Sequence, residues 1–264
     1  MAVLRSFGVG ASVARAALGW IRRDERAGML ERKNFHGRTV SLAGGPALAL
    51  GATAGAVAGA PSLRVATASA VAGVAAGSVG LYDDMSGDSG IKGFAGHLGA
   101  LREGRVTSGF VKIAGVGAAG LAASAAIGSK RTSLLGRSAD VLLGAGVIAG
   151  MANFVNLLDL RPGRALKAGV AIGVPVGAAG PVGAAAALLP EDLGEEIMVG
   201  DAGANAMGAL LGVALASRTG PFGRLVAFAA LGALTAASEK VSYTKVIQDT
   251  PWLRRLDELG RRPA

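Results

Sequence analysis

The sequence predicts an all-α membrane protein: a polytopic bundle of about eight or nine transmembrane helices, followed by a C-terminal helix at the membrane surface. Hydrophobic residues make up 51% of the chain and charged residues only 17%, whereas a soluble domain carries about 25% charged residues. The hydrophobic residues form continuous runs of about 20 positions, the length that a helix needs to cross the hydrocarbon core. Abundant alanine and 43 glycines let such helices pack closely, which makes a homodimer possible.

The hydrophobic runs define the membrane segments in order along the chain. They lie near residues 2–20, 39–60, 63–82, 108–127, 138–158, 165–189, 202–217 and 221–238. The first run could instead be a signal peptide, although no clean small-residue cleavage site follows it. The run at 165–189 is shorter than the roughly 40 residues that two full crossings need. It is therefore either one crossing or a short hairpin that turns at Gly180-Pro181.

The distribution of positive charge predicts which ends of the segments face the cytoplasm. Most lysine and arginine residues lie in the segments 21–38, 83–107 and 159–167 and in the tail after Ser238, so these regions are expected to be cytoplasmic. A group at 130–137 on the opposite side does not follow this rule. Although the net charge is +9, no basic surface with interleaved aromatic residues occurs, and the sequence therefore predicts no nucleic-acid binding.

The C-terminal stretch, residues 250–264, is predicted to be a surface helix and tail beside a transmembrane domain of residues 1–249. Thr250 suits a helix cap, Pro251 the first helical position and Gly260 the stop. One side carries Trp252 and several leucines, with arginines beside them, which favours a helix lying at the level of the lipid headgroups. A docking surface for a partner protein is the alternative.

Three polar clusters interrupt the hydrophobic pattern, and all fall on the predicted cytoplasmic side. They are Asp83-Asp84 at the end of the third segment, Asn153/Asn156/Asp159 at the end of the fifth, and Asp201 at the start of the seventh. Their common side predicts a single acidic site that can hold a metal ion. The chain has no cysteine and only two histidines, His36 and His97, which argues against thiolate or histidine zinc sites.

Each cluster has a functional and a structural interpretation. Asp83 and Asp84 repel each other at a membrane boundary, and a cation or a phosphate-bound metal would relieve this, but they can also be two solvated loop acids. Asp201 stands at a helix start, where free N–H groups favour phosphate and a carboxylate suits a bridging Mg²⁺, but it can also be a plain helix cap. The asparagines can line a cavity or bond between helices.

These residues, in this order, resemble the motifs of the polyprenyl-phosphate N-acetylhexosamine phosphate transferase superfamily, which includes the bacterial phospho-MurNAc-pentapeptide translocase. The similar stretches are Asn34-Phe-His-Gly37 with Ala43-Gly44-Gly45, the Asp83-Asp84 pair, Lys92 to His97 with Thr107-Ser108-Gly109, Asn153/Asn156/Asp159, and Gly200-Asp201-Ala202-Gly203. They span roughly residues 30–250, which is most of the chain.

The resemblance implies an Mg²⁺-dependent enzyme of the bacterial cytoplasmic membrane, active at its cytoplasmic face in cell-envelope synthesis. It would move a sugar phosphate from a nucleotide-sugar to a polyprenyl phosphate lipid. By similarity, Asp201 would be a magnesium ligand, and Asp83 or Asp84 would orient or deprotonate the lipid phosphate. Asp159 would line the nucleotide or pyrophosphate site together with Asn153 and Asn156, and Lys92 is assigned to that site as a distant substitute for the family's lysine.

The chain departs from the family pattern at three places. Arg161-Pro162-Gly163 stands where the family has a second aspartate and glycine, the lysine expected soon after the aspartate pair is missing, and the stretch 239–245 lacks the family's histidines. Two other functions are therefore alternatives. One is a catalytically silent relative that binds polyprenyl phosphate or a partner enzyme, and the other is a small membrane transporter whose acids line a pathway.

Overall fold

Within residues 1–86 and 93–262, which the computed structural model describes, the chain is almost entirely helical. The α-helices are α1 (Ala2–Arg23), α2 (Gly44–Ala58), α3 (Leu63–Ser86), α4 (Gly93–Arg102), α5 (Ser108–Ile127), α6 (Leu134–Leu158), α7 (Arg164–Gly173), α8 (Ala179–Leu193), α9 (Gly200–Arg218), α10 (Pro221–Ser238), α11 (Tyr243–Asp249) and α12 (Pro251–Glu258). Each predicted membrane segment coincides with one of these helices or, at 165–189, with the pair α7 and α8.

Four helices of the described residues are long and apolar enough to cross a membrane: α3, α5, α6 and α10. The predicted eight or nine crossings are therefore supported for these four. Helix α9 is different, because residues 202–213 are all buried by other parts of the chain. A helix that is covered by protein does not need the hydropathy of one that faces lipid.

The prediction of an all-α chain is wrong for one short region, where residues 31–41 form a β-hairpin. Strand β1 (Glu31–Lys33) pairs antiparallel with β2 (Thr39–Ser41), and a short 3-10 helix, Ala27–Leu30, precedes them. The predicted membrane segment at 39–60 therefore begins too early, since α2 starts only at Gly44. The local reason is that Thr39 and Val40 are β-branched and that Gly37, at φ 75°, permits the turn between the strands.

Helix α9 lies at the centre of the bundle, where small residues let other helices approach it. It packs against α2, α3 and α6. A Cβ added to Gly80 of α3 would lie only 2.3 Å from the backbone oxygen of Asp201 in α9. The backbones of α3 and α9 thus touch at this point, and only glycine fits there.

Residues 164–193 form a helical hairpin, which decides between the two alternatives for the run 165–189. Gly163, before α7, donates its N–H to the Asp192 carboxylate near the end of α8 at 2.7 Å, while Gly173 at the far end of α7 packs against Val182. The two helices are therefore antiparallel, and the chain returns to the end from which it left. This is the geometry that the predicted common site requires.

Two buried ion pairs fasten opposite ends of the bundle. Arg164 of α7 binds Asp257 of α12 through two nitrogens at 2.8 and 2.9 Å, and Arg224 of α10 binds Asp140 of α6 at 2.9 Å. All four side chains are almost inaccessible to solvent. Breaking one such pair would leave a buried charge without its partner, so each pair holds its helices in one arrangement.

Candidate functional site

The four predicted aspartates, which are distant in sequence, lie together at one end of the bundle. Helices α3 and α6 end there and α5 and α9 begin there. Asp84 bonds to the backbone N–H of Asp201, 117 residues further along the chain, at 2.9 Å. Asp83 and Asp201 share a lysine, and Asp159 lies close enough for the negative charges of Asp84 and Asp201 to act on it. Asp83, Asp84, Asp159 and Asp201 are called the aspartate cluster below.

The N-terminus of α9 is capped by a carboxylate from another helix. Asp84 accepts the N–H groups of Asp201 and Ala202, one with each oxygen and both at 2.9 Å. Negative charge is stabilised at this position by the free N–H groups and the helix dipole. The Asp84 carboxylate therefore occupies two of the N–H groups that were interpreted as a phosphate site, and that interpretation stays a prediction.

Gly200 makes this arrangement possible. Its φ is +58°, a conformation that other residues adopt at a cost. A Cβ at this position would also lie 3.0 Å from both carboxylate oxygens of Asp84. Glycine is thus required at position 200 both by the backbone conformation and by the close approach of the Asp84 carboxylate.

Lys112 of α5 is the functional residue that the sequence analysis missed. Its Nζ lies 2.8 Å from Asp83 Oδ2 and 2.6 Å from Asp201 Oδ2, and all three side chains are largely buried. The signal was present, because Lys112 is the one charged residue in the run 108–127. Ionisable residues inside membrane segments usually face a site or a partner charge.

The aspartate cluster fits a divalent cation through two of its members. Asp84 uses both oxygens on α9, whereas the carboxylates of Asp83 and Asp201 face each other and both pair with the Lys112 side chain. Mg²⁺ is commonly held by one or two carboxylates together with water and substrate phosphates. The described residues contain no group of three or more acidic, histidine or cysteine side chains arranged for a metal. An ion here would therefore depend on ligands from the substrate.

Asp159 is the most strongly perturbed acid at this end of the bundle. Burial raises its pKa well above the usual value, and the negative charges of Asp192, Asp201 and Asp84 raise it further. The hydrogen bond from Gly200 acts in the opposite direction but is outweighed. A carboxyl group in these surroundings holds a proton more readily than an ordinary aspartate does.

Asn153, Asn156 and Lys92 were predicted to line the nucleotide site with Asp159, and the two asparagines are not part of the aspartate cluster. Asn153 donates its side-chain N–H to Thr235 Oγ1 of α10 at 3.0 Å, which is the bond between helices given as its structural alternative. Asn156 is half-buried and lies near the end of α6, three residues before Asp159. Lys92 lies outside the described residues.

The β-hairpin is fixed to the same end of the bundle through Glu195. This buried side chain accepts hydrogen bonds from Asn34, from His36 Nδ1 at 3.0 Å and from Arg38 at 2.9 Å. Burial alone would raise the pKa of Glu195, but the hydrogen bonds from Asn34 and His36 and the nearby charges lower it below the usual value. Arg32 joins the hairpin to α3 by donating to the backbone oxygen of Asp84 at 3.3 Å.

Comparisons with models of known protein families and with curated proteins give no match for this chain.

Proposed function

We propose that this protein is a membrane phosphosugar transferase, which moves a sugar phosphate from a nucleotide-sugar to polyprenyl phosphate in cell-envelope synthesis. The observation that carries the proposal is the aspartate cluster itself: acids from the ends of α3 and α6 and the start of α9 meet beside one lysine. Their order and residue types are those of the motifs that resemble the superfamily.

The reaction needs a nucleophile, an electrophile and a leaving group, and the proposed substrates supply all three. An oxygen of the lipid phosphate forms a bond to the sugar-linked phosphorus of the nucleotide-sugar. The bond from that phosphorus to the bridging oxygen breaks, and the nucleoside monophosphate leaves with the electron pair. Catalysis of such a step rests on positioning and on stabilising negative charge.

The chain's own residues have distinct parts in this proposal. Asp83 orients the lipid phosphate through Lys112, which lies between Asp83 and Asp201 and offers a positive charge to the transferring phosphate. Bound Mg²⁺, held by Asp83 and Asp201, would neutralise the pyrophosphate of the donor. Asp84 positions Asp201 by capping α9 rather than by touching the substrate, and Asp159 lies beside these two acids.

The proposal places the aspartate cluster at the cytoplasmic face of a bacterial inner membrane. The four long apolar helices would cross the bilayer, and α1, α2, α9 and the α7–α8 hairpin would be inserted with them. Helix α12 would lie at the headgroup level, which its exposed Trp252, Leu256 and Leu259 favour, next to its arginines. The excess of positive loops at this end supports the cytoplasmic orientation.

A catalytically silent relative that binds polyprenyl phosphate is the second candidate, and one observation favours it. The ammonium group of Lys112 lies between Asp83 and Asp201, where a divalent cation would have to bind, and Asp84 is committed to α9. In this case the acids and the lysine stabilise the bundle and do not turn over a substrate.

The test is a transfer assay with purified protein, Mg²⁺, undecaprenyl phosphate and a panel of labelled nucleotide-sugars. The transferase should give labelled lipid, and Asp201→Asn should lose at least about a hundredfold in rate, because it removes a metal ligand and its charge. Glu103→Gln, which changes an exposed acid that pairs with Arg105, is the matched control.

Unchanged turnover in Asp201→Asn would remove Asp201 from the mechanism. Retained binding of undecaprenyl phosphate by wild-type protein, without product from any donor, would instead identify the silent relative.

A further inference from the structure

Beside the aspartate cluster, the loop of residues 160–163 is held rigidly by three contacts. Gly163, at φ +74°, donates its N–H to Asp192 at 2.7 Å, and the oxygen of Pro162 accepts from Arg261 at 2.8 Å. The central carbon of the Arg161 guanidinium lies over the ring of Phe35, 3.4 Å from its centroid. We call residues 160–163 the arginine loop.

Arg161 is oriented by its neighbours, and among the described residues no acid pairs with it. One of its nitrogens donates to the backbone oxygen of Leu160 at 2.9 Å, and the described residues place no carboxylate within ion-pair distance of it. The contact with the ring of Phe35 restricts the position of the guanidinium group. A guanidinium in this state is suited to bind phosphate, because its planar fork of donors matches phosphate oxygens and is already ordered.

The surroundings of Arg161 are positively charged. Arg164 and Arg261 both pair with the single carboxylate of Asp257, and Lys167 donates to backbone oxygens of α12. Asp192, which accepts the N–H of Gly163, and Asp159, on which the charge of Asp192 acts, are further acids at this end of the bundle. Burial and the charges of Arg164 and Arg261 lower the pKa of Arg161, which reflects the same positive potential.

Phe35 adds a second recognition element. Arg161 covers one face of its ring, and the side chain remains 68% exposed. Its position is fixed by the β-hairpin turn, where its neighbours Asn34 and His36 both bind the buried Glu195. An exposed aromatic ring of fixed position is a platform on which a nucleobase can stack.

We infer that Arg161 and Phe35 form the binding site for the nucleoside diphosphate part of a soluble substrate, with the phosphate on Arg161 and the base on Phe35. This inference rests on the proposed function and names its donor-binding residues. Arg161 is only two residues after Asp159, a separation of at most about 7 Å between Cα atoms. One extended ligand can therefore reach from the arginine loop towards the aspartate cluster.

The inference is tested by measuring the affinity of the detergent-solubilised full-length protein for uridine diphosphate and for inorganic pyrophosphate. Arg161→Ala should weaken both by about tenfold or more, since a charge-assisted hydrogen bond to phosphate is lost. Phe35→Leu should weaken uridine diphosphate by at least about fivefold more than pyrophosphate, since both lose the ordering of Arg161 but only the base loses its stacking surface. Arg254→Ala, an exposed arginine of α12 without such contacts, is the control and should bind as wild type does.

Equal thermal midpoints of the ligand-free variants show that folding is retained. Wild-type affinity in both Arg161→Ala and Phe35→Leu, or an equal loss in Arg254→Ala, overturns the inference. A third arm uses vesicles with and without an anionic phospholipid. If Arg161→Ala weakens only vesicle binding, the anion is a lipid headgroup and the inference of a soluble ligand is overturned.

The outcome separates this inference from the transferase proposal. Arg161-dependent binding of uridine diphosphate in a protein that transfers no sugar phosphate supports the site and removes the enzyme. Transfer of sugar phosphate by Arg161→Ala with an unchanged KM for the nucleotide-sugar supports the enzyme and removes the site.

Discussion

The adjacent aspartates at the end of α3 have different surroundings although they are chemically identical. Asp83 pairs with Lys112, while Asp84 turns to α9 and accepts two backbone N–H groups. Removing Asp84 leaves two partly buried donors without acceptors, whereas removing the charge of Asp83 leaves Lys112 still paired with Asp201. The two residues should therefore contribute differently to stability.

We predict that Asp84→Ala lowers the free energy of unfolding by about 2–4 kcal/mol, because each unsatisfied buried N–H costs about 1–3 kcal/mol. Asp83→Asn, the matched change at the neighbouring position, should lower it by less than about 1 kcal/mol, since its amide oxygen still accepts from Lys112. Thermal or denaturant unfolding in detergent measures both. Equal losses would show that the α9 cap is not what distinguishes these residues.

The sequence predicted which aspartates lie together but not which groups each of them contacts. The common side of the hydrophobic segments was enough to bring Asp83, Asp84, Asp159 and Asp201 together. It could not show that Asp84 faces a backbone, because this depends on the rotation of α3 against α9. Lys112 was not predicted, because it lies one turn inside α5 and not in one of the positively charged loops.

Among the elements, the C-terminal helices are attached to the bundle mainly by charge. Asp257 of α12 receives Arg164 from α7 and Arg261 from its own segment, and Thr244 of α11 accepts from Arg164 as well. The amphipathic pattern of residues 250–264 correctly predicted where a helix forms in this part of the chain. It did not show α11, nor the buried ion pair, since Arg164 lies 93 residues before Asp257.

This attachment should depend on pH. Burial tends to raise the pKa of Asp257, but the hydrogen bonds and charges of Arg164 and Arg261 outweigh it, so the pKa is lowered. A lowered pKa contributes stability that is complete above the unfolded value of about 3.9 and is lost as the pH falls through the folded value. We predict that α12 detaches in acid, below about pH 4.

The fluorescence of Trp252 in a Trp20→Phe background reports this detachment. Asp257→Asn should already be detached at neutral pH and should show no further acid transition. An acid transition that is the same in both proteins would assign it to other carboxylates.

For the whole molecule, the decisive feature is that the α7–α8 hairpin returns the chain to the end where α6 finished. The glycine and proline signals at 180–181 predicted a turn, and the structure places the change of direction slightly earlier, at residues 174–178. Small residues on both helices allow a tight return. If residues 164–193 crossed the membrane only once, Asp159 and Asp201 would lie on opposite sides, and no shared site would exist.

The membrane topology can be read by cysteine labelling, since the native chain has no cysteine. Leu160→Cys and Glu196→Cys, exposed positions before α7 and after α8, should react with a membrane-impermeant maleimide from the same side as Ser86→Cys. Ser62→Cys and Thr132→Cys should react only from the other side, because α3 and α6 begin there. Right-side-out and inverted vesicles give the two accessibilities. Labelling of positions 160 and 196 from opposite sides would require a single crossing, and the aspartate cluster could not then assemble in a membrane.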